Sequence, residues 1–89
     1  MENIIVTVTN ISKTYLYDLE LPVNVTADKL SSDIVEALNG YNPALLLPPT
    51  SARLFCNRIG RQLEAGETLE SAGVWNGDYI TIIEAQTNG

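Results

Sequence analysis

One stretch of this chain has helical periodicity, and it lies between segments whose apolar residues alternate. Ala27, Leu30, Ile34, Ala37 and Leu38 recur at the spacing that lines one side of a helix, while Asp28, Ser31, Ser32 and Asp33 take the other side. Thr26 is placed to cap the first turn, Asp28 sits near the positive end of the helix dipole, and Gly40 is expected at the C′ position. A single apolar stripe of about three to four turns covers one face of a sheet and no more. Whatever sheet the rest of the chain builds must leave its other face to solvent or to something that docks there.

The flanking segments supply that sheet. Asn3 to Thr9 sets Ile4, Val6 and Val8 against Ile5, Thr7 and Thr9, the period-two pattern of a half-buried strand. Asn10 to Thr14 reads as a turn. Tyr15 to Leu21 then places Tyr15, Tyr17, Leu19 and Leu21 opposite Leu16, Asp18 and Glu20, which predicts an antiparallel hairpin. Pro22 ends the second strand because it has no amide proton for the ladder. After the helix, Pro48-Pro49 excludes further helix and delivers an extended chain into the strand Arg53 to Cys56. Of the preceding run Leu45-Leu46-Leu47, Leu47 is the expected buried member. A glycine turn, Leu63, the turn-like run Gly66-Glu67-Thr68-Leu69 and a Gly73-Val74 step lead to a last alternating strand, Tyr79 to Ile83. Gly60, Gly66, Gly73 and Gly77 are expected where tight turns need positive φ. Two layers of an α+β sandwich follow, with the β-branched first and last strands suited to adjacent central positions.

At 89 residues the chain suffices for one small domain with one core. Eleven acidic residues against five basic ones leave a formal charge of −6, so nucleic acid is not an expected partner. Arg53, Arg58 and Arg61 fall close together, which makes one face locally positive or is an ordinary solvated cluster. A single cysteine, Cys56, permits no intramolecular disulfide and suits a reducing compartment. No apolar run approaches the roughly 20 residues that span a bilayer, and Met1-Glu2-Asn3-Ile4-Ile5 has no signal-like character. The chain therefore reads as cytoplasmic, with no direct membrane insertion. It has no histidine, and one cysteine cannot build a thiolate metal site. No sequence feature supplies a base to activate Cys56, so that residue is expected to pack in the core. Neither catalysis nor a cofactor is expected.

Two longer runs resemble a known family. Leu47-Pro48-Pro49-Thr50-Ser51-Ala52-Arg53-Leu54 resembles, without a gap, the approach of ubiquitin to its third strand, and Gln62-Leu63-Glu64-Ala65-Gly66-Glu67-Thr68-Leu69 resembles the segment that follows. The resemblance implies a ubiquitin-like β-grasp, a mixed four- to five-stranded sheet with one helix packed on one face, occupying residues 1–84 ahead of a flexible tail, 85–89. Asn57, Gly66, Leu69, Ala72-Gly73-Val74 and Asn76-Gly77-Asp78 resemble the YukD/EsaB family, small ubiquitin-like proteins of type VII (WXG100) secretion systems. A related domain forms the cytoplasmic amino terminus of the membrane component EccD. This resemblance implies a cytoplasmic accessory or assembly component that binds proteins, membrane components of the secretion system among them.

Alternation then points to where such a module binds. If Ile4, Val6, Val8, Leu54, Ile80 and Ile82 face the helix, then Ile5, Thr7, Phe55, Thr81 and Ile83 face away from it. Phe55 and Ile83 fall where ubiquitin carries its hydrophobic recognition patch, with Arg53 beside them. The expected protein-binding residues are Ile5, Arg53, Phe55, Thr81 and Ile83. Trp75 is expected as a lid on the core, with an exposed contact residue as the alternative. The competing function is a modifier or sulfur carrier acting through its carboxy terminus. Ala85-Gln86-Thr87-Asn88-Gly89 lacks the Gly-Gly ending of such proteins, and Gly89 is either a natural end or a boundary before further sequence. The exposed edge of the second strand offers a route to a weak homodimer.

Overall fold

The computed structural model describes residues 3–45 and 52–84. Strands β1 (Asn3–Asn10) and β2 (Leu16–Pro22) form the antiparallel hairpin, with Val6 opposite Leu19 and Ile4 opposite Leu21. Helix α1 (Ala27–Tyr41) leads through a 3₁₀ turn, Pro43–Leu45, toward β3 (Ala52–Cys56). The two-residue β4 (Arg61–Gln62), the short helix α2 (Leu69–Ala72) and β5 (Tyr79–Glu84) complete the order. One mixed sheet results, arranged β2-β1-β5-β3-β4, with β5 parallel to β1 and antiparallel to β3. The first and last strands are adjacent, as their β-branched composition suggested. The expected burial of Leu47 and the tail 85–89 lie outside the described residues.

The core fills the space between one sheet face and α1. Val6, Val8, Leu54, Ile80 and Ile82 meet Leu30, Ile34, Val35 and Leu38, all buried, and each such side chain contributes about 1.5–3 kcal/mol by leaving water. Cys56 is fully buried among them. The buried helix face is wider than the sequence pattern indicated, since Val35 and Ser31 belong to it while Ala37 is only half-buried. Ser31 is tolerated because its hydroxyl donates to the Asp28 carbonyl at 2.9 Å, leaving no bare polar group inside.

Both ends of α1 differ from expectation for tertiary reasons. Thr26 occupies the N-cap with extended backbone, yet its hydroxyl donates to Asp28 Oδ1 at 2.6 Å and accepts no helix amide. The first helical amides are served across the fold, Ala27 N donating to Glu67 O at 2.6 Å and Asp28 N to Ala65 O at 3.2 Å. At the other end Gly40 lies inside the last turn, and Asn42 is the C-cap, its N–H donating to Leu38 O.

The segment after β4 contains a helix where a turn was expected. Thr68 and Ser71 form a reciprocal capping box, Leu69 is buried, and Gly73 closes the turn in the left-handed region at φ 83°. Gly60 and Gly77 also have positive φ, but Gly66 does not. Among the described residues no helix is long and apolar enough to cross a membrane.

Candidate protein-binding face

Because α1 covers one face only, the odd-numbered residues of β3 and β5 point away from it. Ile83 lies directly opposite Arg53, and Thr81 opposite Phe55. Register extends the second pair into a row across all five strands, Leu16, Thr9, Thr81, Phe55 and Gln62. Phe55 and Ile83 are half-buried and Arg53 is exposed, so the fold brings these three together as an apolar centre with a cation at its margin.

The other two expected residues are placed differently. Thr81 lies in the row but is buried, and its hydroxyl donates to Asn57 Oδ1 at 2.6 Å. It organises the surface from beneath and has little area to offer a partner. Ile5 is half exposed at 50%, but the parallel register of β1 and β5 sets it six residues below the level of Ile83. That offset is about 20 Å along the strands, too far for one small patch. Alternation assigns a residue to a face, and only register says at what height it stands.

Thr9 is also buried on this helix-free side, its hydroxyl donating to Tyr15 O at 2.7 Å. The β1–β2 turn leans over the sheet here. Lys13 in that turn has left-handed backbone, φ 54°, and shares an open cleft of about 300 Å³ with Asn57, Arg58, Gly77, Asp78 and Tyr79. Four residues missed by the sequence reading therefore belong to the same face or its margin: Ile11 at 72% exposure, Leu16, Tyr79 and Lys13. Ile11 had a signal, being the one apolar residue in the polar turn Asn10 to Thr14. Tyr79 had another, since the alternation that sends Thr81 and Ile83 outward includes it.

Below the cleft, Asp78 organises the turn that leads into β5. Its carboxylate accepts Arg58 Nε at 2.9 and 3.0 Å and the Trp75 backbone N–H at 2.8 Å. Burial pushes this carboxyl up, but the Arg58 and Trp75 bonds together with the Arg58 charge outweigh it and hold the group below the usual aspartate range. Arg58 also donates to Gly73 O, and its guanidinium lies 3.8 Å over the Trp75 ring. Trp75 is 64% exposed. It is thus the exposed residue of the two alternatives, not a lid, because Val74 and Leu69 already close that end of the core. On the far side of β4, Arg61 pairs with Glu67 through two bonds of 2.7 Å, so two of the three clustered arginines are internally compensated. No group of three or more metal-ligating side chains occurs among the described residues.

A mixed sheet whose first and last strands pair in parallel, crossed on one side by a single long helix, defines a ubiquitin-like β-grasp protein. Solved structures agree. "Caldiarchaeum Subterraneum Ubiquitin" is 26% identical with a TM-score of 0.73, over 99% of this chain and 100% of that one. The EccD5 ubiquitin-like domain from Mycobacterium xenopi gives a TM-score of 0.76 at 14% identity over 98% and 100% of the two chains, a likeness of fold alone. A ubiquitin-like domain from Arabidopsis thaliana gives 0.72 at 18% identity, covering 100% of this chain and 84% of that one, again a likeness of fold alone. A search of curated proteins returns no match. Within this class the chain belongs to the YukD family, whose model, described as "WXG100 protein secretion system (Wss), protein YukD", matches residues 4–82.

Proposed function

We propose that this YukD-family protein is a non-catalytic, cytoplasmic accessory or assembly component of a type VII (WXG100) secretion system, and that it works by binding membrane components of that system. The observation that carries this reading is the cluster of Arg53, Phe55 and Ile83 on the sheet face that α1 leaves uncovered. Family membership supports the system, and the absence of histidine together with the burial of Cys56 supports a binding role over a catalytic one. Burying Phe55 and Ile83 the rest of the way would contribute about 1 kcal/mol each before association costs, enough to matter in a small interface.

Phe55→Glu tests the reading. Phe55 is half-buried and faces away from the helix, so the variant should remain folded while binding to the cytoplasmic segments of the host's secretion membrane components is lost. Unfolding of the variant, or undiminished binding, removes Phe55 from the contact. Intact-mass measurement after expression beside the host's neighbouring genes should show no covalent adduct. An adduct at the carboxy terminus would transfer the protein to the modifier class.

A further inference from the structure

The distribution of charge specifies what sits on the helix-free face. Three of the five cations are neutralised within the fold, Lys29 by Asp33, Arg58 by Asp78 and Arg61 by Glu67. Among the described residues the other two, Lys13 and Arg53, have no ion-pair partner, and both border the face α1 does not cover, Arg53 also lining the groove between α1 and β3 with Asp28 and Glu64. Arg53 stands across from Ile83, and Lys13 lines the cleft with Asn57 and Tyr79. A chain of net charge −6 thus sets the two cations that lack an ion-pair partner at the margins of the helix-free face. The exposed side of α1, by contrast, carries Asp28, Asp33 and Glu36.

Local geometry prepares the Lys13 cleft for an acceptor. The Asn57 carbonyl oxygen is occupied by the Thr81 hydroxyl, which fixes the amide so that its NH₂ remains to donate. Lys13 keeps a left-handed backbone, φ 54°, which is disfavoured for a side-chain-bearing residue, in a turn where Asn10 ties down Ser12 and Thr14. Asp78, which also lines the cleft, is paired with Arg58, and the other acids on this face, Asp18 and Glu20, lie on the edge strand β2, about 14 Å from β3 and Arg53 across three strand spacings. They accept from Thr7 Oγ1 at 2.7 Å and Asn3 Nδ2 at 3.0 Å.

We infer that the occupant is a segment of a different protein carrying an apolar anchor flanked by carboxylates, the anchor resting on Phe55 and Ile83, one acid on Arg53 and another in the cleft of Lys13, Asn57 and Tyr79. This inference rests on the binding role proposed above. A second copy of the chain fits less well, because Asp18 and Glu20, the acids of this face that flank Leu19, already accept from Thr7 and Asn3 of the neighbouring strand. A phosphate polymer needs a run of cations, and this face has two.

The test is calorimetric titration of the purified chain with the cytoplasmic segments of the host's own WXG100 secretion membrane components, at low and high salt. Lys13→Glu and Arg53→Glu should each weaken binding on the order of tenfold with unchanged melting temperature, Lys13→Arg should bind as the parent does, and added salt should weaken the parent more than the double reversal. If Phe55→Glu abolishes binding while both charge reversals leave it unchanged, the acidic occupant is wrong and the binding role stands. If no segment binds the parent, the binding role falls and the occupant with it. Sedimentation showing a dimer that Lys13→Glu dissociates would reassign the face to a second copy.

Discussion

Asp78→Ala should be the most informative single substitution for the turn beneath the candidate face. The carboxylate is buried, and its removal takes the acceptor from the part-buried Trp75 N–H, a loss of about 1–2 kcal/mol. It also unpairs Arg58, but that side chain is 36% exposed and can rehydrate, so the penalty stays below the roughly 3–5 kcal/mol of a fully stranded charge. The combined loss is about 2–3 kcal/mol, from a total of roughly 5–10 kcal/mol for a domain of this size. In calorimetry this is a fall in melting temperature on the order of 10–20 °C. Asp78→Asn, which keeps the shape and one acceptor, should lose about half as much. Since Trp75 is the only tryptophan, its fluorescence anisotropy reports whether the ring is still clamped by Arg58. The pH dependence has a definite sign. The folded carboxyl titrates below its usual 3.8, so its contribution is complete above that value and is lost as pH falls through the lower folded one. The gap between the parent and Asp78→Ala should therefore narrow only in acid, toward what a neutral side chain of the same shape still supplies. A loss under about 0.5 kcal/mol at neutral pH, or a gap that does not narrow in acid, would refute this account of the turn.

Two further substitutions separate local from tertiary causes. Gly73→Ala, at φ 83°, should cost about 1 kcal/mol in urea denaturation, whereas Gly66→Ala, with ordinary φ and nothing within 4 Å of an added Cβ, should be close to neutral. Glu67→Gln should destabilise at neutral pH and lose its effect in strong acid. Arg61 and the Glu64 N–H pull the Glu67 carboxyl from 4.5 to about 2, so that contribution is full above 4.5 and fades as pH falls toward 2 in an acid titration followed by circular dichroism.

Periodicity is a local property, and it was enough for the layers. The alternation of Ile4, Val6 and Val8 and the helical recurrence of Leu30, Ile34 and Leu38 predict two kinds of element and their buried sides, because burial of apolar area selects the face. The Arg53-Leu54 and Gln62-Leu63-Glu64 runs carried the resemblance to ubiquitin, and Ala72-Gly73-Val74 with Asn76-Gly77-Asp78 carried the resemblance to the YukD family, whose model matches residues 4–82. Face assignment for Arg53, Phe55 and Ile83 was likewise legible, since it follows from the pleat.

Other features depend on which segments meet, and those no window of sequence contains. Ile5 parts from Ile83 because β1 and β5 pair in parallel at one particular register. Thr9 and Thr81 are buried on the uncovered face because a turn and Asn57 supply partners for their hydroxyls. The first amides of α1 are served by Glu67 and Ala65, some forty residues on. Lys13 and Arg53 are the uncompensated cations only because folding gives Lys29, Arg58 and Arg61 their acids. Local energetics chose strand, helix and facing; contacts between distant residues chose heights, hydrogen-bond partners and the surplus charge, because each of those quantities is a property of a pair.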